Sequence, residues 1–269
     1  MAIPRILVLT GYGINCDEET RFAFERAGGI AEIVHINDLI ERNRRLNDYQ
    51  VLAFPGGFSY GDDTGSGKAL ANRIRNNLWE ELLRFVQGDN LAIGICNGFQ
   101  VMVNLGLLPA LGGEYGKIQA ALMHNDSARY TVRWVDLEFN DQSPWTKGVG
   151  RISLPIAHGE GRFYTDPKTL AHLKTKDLIA TRYVDGEICR HQRLPVNPTG
   201  TLEDIAGIIN DNGGRLFGIM PHPERAIDFT HLPNWTWLRE RLRRGGKEIP
   251  SEGPGMKISQ NGVNYFRRD

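Results

Sequence analysis

Cysteine is scarce in this chain of 269 residues: Cys16, Cys96 and Cys189 are an odd number, far apart and without a C-x-x-C pair. That argues against a disulfide framework and a zinc site, and it leaves reduced thiols, any one of which can be reactive. An excess of one charge is also missing, because 32 Lys and Arg balance 32 Asp and Glu. No basic block stands out beyond short runs such as RLRR near the C-terminus, so nucleic acid is not expected as a partner. No apolar run approaches the roughly 20 residues of a membrane span. The opening MAIPRILVLT is apolar without a basic leader or cleavage site. A soluble, cytoplasmic protein with no membrane partner is expected. Repeats, low-complexity tracts and a dividing linker are absent too. With 41% hydrophobic residues the chain can bury a core without staples. The expectation is therefore one domain over 1–269.

What the chain does have is alternation. RILVLT (5–10) is a compact apolar run ending at the glycines of GYG, and DEETRFAFERAGG follows with acidic residues in its first turn and glycines at its end. This reads as strand, loop, helix. EIVHI (32–36) and VLAFP (51–55) read as the next strands, and the long helical pattern KALANRIRNNLWEELLRFV leads to LAIGI (91–95). Short strands, apolar on both faces and separated by helices, predict an α/β fold: a doubly wound, mostly parallel sheet with helices on both faces. The second half has half-buried strand patterns in ARYTVRWVDLEF and RISLPIA, further strands in ATRYV and DIAGIIN, and a compact apolar run RLFGIM (215–220) before PHPER. From about residue 230 an extended tail is expected, and from about Gly245 its polar, Gly- and Pro-rich composition reads as irregular.

The chemistry concentrates at GICNGFQ (94–100). Cys96 lies where a buried strand turns directly into a helix, and Gly94 and Gly98 give the backbone room for the turn. This is the geometry of a nucleophile elbow with sulfur in place of oxygen. A helix N-terminus favours a thiolate, which is the reactive form. Packing alone also explains many glycine-flanked cysteines. A nucleophile needs oxyanion donors and a base. The elbow positions the amide of Asn97, and PGGF (55–58) ends a parallel strand at the same sheet edge with the amides of Gly56 and Gly57. Two His-x-Glu pairs compete for the base, His158 with Glu160 in AHGEGRF and His222 with Glu224 in MPHPERA. In extended backbone, residues two apart share a face, so either glutamate can flank its histidine ring. The prolines around His222 stiffen its segment after a buried strand and favour it as the base. His158 sits among glycines, where lining a substrate or an interface suits it better.

Two segments mimic function. GDDTGSGKA (61–69) has the wrong glycine spacing for a phosphate loop, and Ala69 stands where Ser or Thr must hold magnesium, so no nucleotide site is expected. Cys16, in INCDEET, precedes Asp17, Glu18 and Glu19, which oppose a thiolate and point to a structural role.

Taken together, GICNGFQ, MPHPER and PGG resemble the class I, or triad, glutamine amidotransferases, whose Cys, His and Glu follow in that chain order. More narrowly, GINCDEE, FPGGFSYGD, NDS (125–127), HGEGRF and NPTGTLEDIAGIIN are similar to the glutaminase subunits of phosphoribosylformylglycinamidine synthases, in purine biosynthesis. The likeness runs from Arg5 to about Asp228. It implies a flavodoxin-like fold and a catalytic Cys96, His222 and Glu224. Gly57 and Asn97 would form the oxyanion hole, and Gln100, Asn125 and Ser127 would contact the bound glutamine. It further implies glutamine as substrate, and as partner a synthetase subunit with a small third subunit. No metal or cofactor is expected on this chain, and ATP and magnesium are expected on the partner. GDDTGSGKALAN, GYGINC and the long stretch from Thr230 depart from the family pattern, and such loops are expected near the synthetase face. Two other readings of the residues remain. A stand-alone cysteine hydrolase of glyoxalase type has no need of His-Pro-Glu, and a non-enzymatic module has no need of the intact Cys, His and Glu.

Overall fold

A computed structural model describes residues 3–267. The first half alternates as expected: β1 (Arg5–Thr10), α1 (Asp17–Arg26), β2 (Ile30–His35), the short α2 (Ile36–Ile40), β3 (Val51–Phe54), α3 (Lys68–Gln87), β4 (Leu91–Ile95) and α4 (Asn97–Asn104). The second half adds β5 (Ala121–Met123), β6 (Thr131–Phe139), β7 (Arg151–His158), β8 (Arg162–Tyr164), α5 (Pro167–Thr175), β9 (Ile179–Tyr183), α6 (Glu187–Gln192), β10 (Ile205–Ile209), β11 (Leu216–Ile219), α7 (Trp235–Arg244) and α8 (Met256–Tyr265).

Nine strands form one sheet in the order β2-β1-β3-β4-β11-β10-β9-β6-β7, and β5 and β8 pair separately. The pairings from β2 across to β11 are parallel. From β11 to β7 they are antiparallel. VLAF, LAIGI and LFGI are buried at every position, as strands covered on both faces must be. β6 and β7 mix buried with partly exposed positions.

The order matters for the site, because β3, β4 and β11 lie side by side and parallel. Phe54 pairs with Gly94, and Ile95 pairs with Ile219. All three chains therefore leave the sheet at one edge, β3 into residues 55–58, β4 into Cys96 and β11 into residues 220–225. That edge is where parallel α/β sheets bind ligands.

The tail departs from expectation, since it carries α7 and α8. Helix α8 buries Met256, Ile258 and Val263, and its Gly262 lies so close to Trp145 that a Cβ there would sit 2.4 Å from the indole. The glycines of SEGPGM, which read as irregular, serve close packing instead. The amide of Gly255 donates to Ala226 O at 2.8 Å, and a Cβ on Gly255 would fall 2.0 Å from Pro223 O. Only a residue without a side chain lets this segment buttress the loop that follows β11.

Candidate active site

The turn at Cys96 is as sharp as its sequence implies. Its backbone adopts φ 51° and ψ −106° between β4 and α4, a conformation that costs a non-glycine residue on the order of 1–3 kcal/mol. Both flanking glycines are required. A Cβ on Gly98 would lie 1.8 Å from Phe54 O, and one on Gly94 would lie 2.7 Å from the Gly98 backbone. Helix α4 is thereby pressed onto β3 and β4, and the Cys96 amide is held by Ile219 O at 2.8 Å. The Asn97 amide opens α4, where the first-turn N–H groups have no intrahelical acceptor. The thiol is 5% exposed and lies 3.7 Å from Ala157 O at the end of β7.

Across the same edge, His222 and Glu224 are both buried, with Nδ1 and Oε1 2.5 Å apart. An ionised carboxylate only accepts, so Nδ1–H donates to it and Nε2 is left for chemistry. Burial works against a charged imidazole, but Glu224 and the sulfurs of Cys96 and Cys16 outweigh it and hold the His222 pKa well above its ordinary value. The imidazolium that a thiolate partner requires is thus the favoured form.

Residues 55–58 complete the edge. Gly57 has φ 149° and pairs with Ile14 in an isolated bridge built from Phe58 N–H to Gly13 O at 2.8 Å and Asn15 N–H to Gly56 O at 3.4 Å. That pairing does not use the Gly57 N–H. A side chain is excluded there, since a Cβ would be 2.7 Å from Gly13 O. A Cβ on Gly56 would be 2.8 Å from His222 Cε1. Both glycines are close approaches, not mere punctuation.

The second His-x-Glu pair does not form. His158 is buried and both ring nitrogens are without a hydrogen-bond partner among the described residues. Burial, reinforced by the charge of His222, pulls its pKa down to about 3. Gly161 packs against the His158 ring, where a Cβ would fall 2.0 Å from Cε1, and Glu160 points instead at Ser66, whose amide donates to Oε2 at 3.2 Å, and at His124, 3.7 Å from Oε1. Two-residue periodicity failed here because the backbone leaves extended geometry right after His158, where β7 ends.

The residues expected to touch glutamine are already engaged. Gln100 accepts from Asn97 Nδ2 at 2.9 Å and donates to Glu160 O at 2.7 Å. Asn125 accepts from Gly161 N at 3.0 Å and donates to His158 O at 2.8 Å. Both side chains shape residues 158–161 beside the thiol. Ser127 is exposed, and its Oγ accepts from Arg129 N at 3.3 Å. The loop 61–69 serves the elbow too, with Asp62 accepting from Asn97 Nδ2 at 3.2 Å and from Ser66 Oγ at 3.0 Å.

Sequence reasoning missed three groups. Tyr130 donates its hydroxyl to the same Ala157 carbonyl that faces Cys96, at 2.8 Å, with Phe58 against its ring at 5.8 Å. Arg225 Nη2 donates to Cys16 Sγ at 2.8 Å across 209 residues of sequence. Cys16 is completely buried, and its sulfur, a His222 nitrogen and a Glu224 oxygen lie within 4.8 Å of one another. The Arg225 guanidinium on that sulfur opposes a metal cation at this spot. No local pattern announces Cys16 or Arg225, beyond the position of Arg225 beside Glu224 in HPER.

Residues 3–266 match the protein family described as the CobB/CobQ-like glutamine amidotransferase domain. A curated relative from Methanococcus maripaludis, phosphoribosylformylglycinamidine synthase subunit PurQ, is 47% identical over 269 residues, covering 99% of this chain and 98% of the relative. The PurQ subunit of Dehalococcoides mccartyi is 43% identical over 270 residues, with 100% of both chains covered. Among solved structures, one of PurLQS from Thermotoga maritima superposes with a TM-score of 0.70 at 30% identity, covering 98% of this chain and 100% of that one. Among the described residues no helix is long and apolar enough to cross a membrane.

Proposed function

The chain belongs to the CobB/CobQ-like glutamine amidotransferase domain family, and from that premise we propose that it hydrolyses glutamine to glutamate and ammonia. The ammonia goes to a synthetase subunit that makes phosphoribosylformylglycinamidine in purine biosynthesis, as the names of its relatives imply. The observation that carries the chemistry is the junction of a strained elbow cysteine with a buried His–Glu pair on adjacent parallel strands.

In this reading the Cys96 thiolate attacks the side-chain amide carbon, and the amides of Gly57 and Asn97 take up the charge of the oxyanion. His222 gives its Nε2 proton to the leaving nitrogen, ammonia departs and a thioester remains. His222 then takes a proton from water, hydroxide attacks the thioester, and glutamate leaves as the Cys96 thiolate is expelled beside the reprotonated His222. Glu224 keeps the ring oriented and its charged form stable. Gln100 and Asn125 hold residues 158–161 beside the thiol, and exposed Ser127 is kept as a contact to the glutamine. The residue chemistry calls for no metal or cofactor on this chain, and ATP with magnesium belongs to the synthetase. The whole chain acts as one amidotransferase domain in a cytoplasmic complex with the synthetase and a small third subunit.

The test uses a glutamine-analogue affinity label and the assembled complex. The label should modify Cys96 and spare Cys16 and Cys189. Cys96→Ala should abolish glutamine-dependent synthesis while free ammonia still supports it. Labelling at Cys16 with Cys96 untouched, or loss of the ammonia-dependent reaction in a well-assembled complex, would overturn the assignment.

A further inference from the structure

The Cys16–Arg225 contact lies against the proposed catalytic histidine, yet the mechanism above does not use it. Its construction is specific. Cys16 is locked in place, with its amide on Gly56 O at 3.2 Å and its carbonyl accepting from Thr20 Oγ1 at 2.6 Å. Gly56 supports sulfur and imidazole side by side, because a Cβ there would stand 2.8 Å from His222 Cε1 and 3.1 Å from Cys16 Sγ. The guanidinium anchored on that sulfur brings Arg225 Nε to 3.9 Å from Glu224 Oε1, the oxygen that binds His222 Nδ1.

The chemistry gives this arrangement a purpose. His222 must release its proton to ammonia and recover one from water in each turnover. A buried carboxylate 2.5 Å away, with its second oxygen unpartnered among the described residues, holds an imidazolium tightly. A proton held too tightly is a poor general acid. A cation beside Glu224 shares the carboxylate charge and loosens that hold.

We propose that Arg225 is a positioning residue for His222, anchored by the Cys16 sulfur, and that it tempers Glu224 so that the imidazolium can surrender its proton to ammonia. The charged and titratable groups around His222 are few. Glu224 lies on Nδ1, Cys96 comes from the β4–α4 elbow and Cys16 from the start of α1. His158 acts from β7 and Tyr130 from just before β6. Glu19 of α1 lies behind Arg225, 3.9 Å from its Nε. Of these, Arg225 is the permanent cation. Its own pKa is raised, because Cys16 and Glu224 outweigh the cost of burial.

This inference rests on the glutaminase reading, and its test separates the two. In the assembled complex, the pH profile of kcat/KM for glutamine hydrolysis falls on its basic limb as His222 loses its proton. Arg225→Met should move that limb upward by about half to one pH unit, discounted from a fully buried cation because the Arg225 side chain is 35% exposed. Turnover should fall up to roughly tenfold, with KM changed less than about twofold. Arg225→Lys should return the limb toward its wild-type place. Cys16→Val would also remove a sulfur that itself raises the His222 pKa, so the arginine variants alone report the effect of the guanidinium. A limb that stays put or moves downward in Arg225→Met would overturn the proposal. If Arg225→Met does not fold, Arg225→Gln decides by the same limb. If the wild-type complex hydrolyses no glutamine, the function itself is wrong; if it does and the limbs are fixed, only this inference falls.

Discussion

Replacing His158 with methionine should remove an acid weakness from the fold. His158 is buried, its ring nitrogens have no partner among the described residues, and its pKa is about 3 in the folded state. In the unfolded chain it returns to about 6.5. The folded value is depressed, so the stabilising contribution is complete above pH 6.5. It is lost as pH falls from 6.5 toward 3, because only the unfolded chain takes the proton. Each pH unit inside that window costs about 1.4 kcal/mol, and integrating to pH 5.0 gives a loss of about 2 kcal/mol relative to pH 7.5. His222, with its raised value, contributes the opposite slope, and it is common to both proteins. Urea unfolding of wild type and His158→Met at pH 7.5 and 5.0 measures the difference. The variant should gain about 2 kcal/mol on wild type across that interval, since methionine fills a similar volume and breaks no hydrogen bond. Stability curves that fall in parallel would show that His158 titrates normally and that burial does not control it.

Glutamine hydrolysis should suffer far more from His222→Asn than from His158→Asn, by roughly the 100- to 10,000-fold typical of a lost general acid-base group. Steady-state rates of two folded variants decide it, and equal losses would reopen the choice of base. Gly98→Ala should destabilise by more than about 3 kcal/mol, since its Cβ would land 1.8 Å from Phe54 O and the backbone must move; a near-normal melting temperature would contradict this packing. The isolated chain should turn over glutamine on the order of 100- to 1000-fold more slowly than the complex loaded with nucleotide substrates. The idea behind that is a Gly57 amide that completes the oxyanion hole only on assembly, and Gly57→Val should then depress activity more than assembly. A chain that is fully active alone would refute the gating.

The alternation of β1 to α4 was legible because each strand is a short apolar run and each helix a 3.6-residue pattern, both set by neighbours in sequence. The elbow was legible for a similar reason. Gly94 answers a clash with Gly98 that the turn itself creates, whereas the need for Gly98 comes from Phe54 O of the neighbouring β3, which the spacing alone does not show. The His222 pair was legible through its prolines, yet His158–Glu160 had the same spacing and did not pair, because the chain turns after β7 and spacing is silent about that.

Tertiary structure alone decided what lies between distant segments. The tail read as irregular because glycine and proline signal loops, whereas the fold uses Gly255 and Gly262 for contacts with Pro223 and Trp145. Cys16 read as structural because its neighbours Asp17, Glu18 and Glu19 are acidic, but the helix turns it toward Arg225 and His222, 209 positions away from the arginine. By itself the sequence determined the strands, the strained cysteine turn and the order of the catalytic types, since these follow from sterics within a few residues. Which side chains meet there was decided when β3, β4 and β11 became neighbours, because sheet order is set by burial of whole strands and leaves no mark on the short motifs it unites.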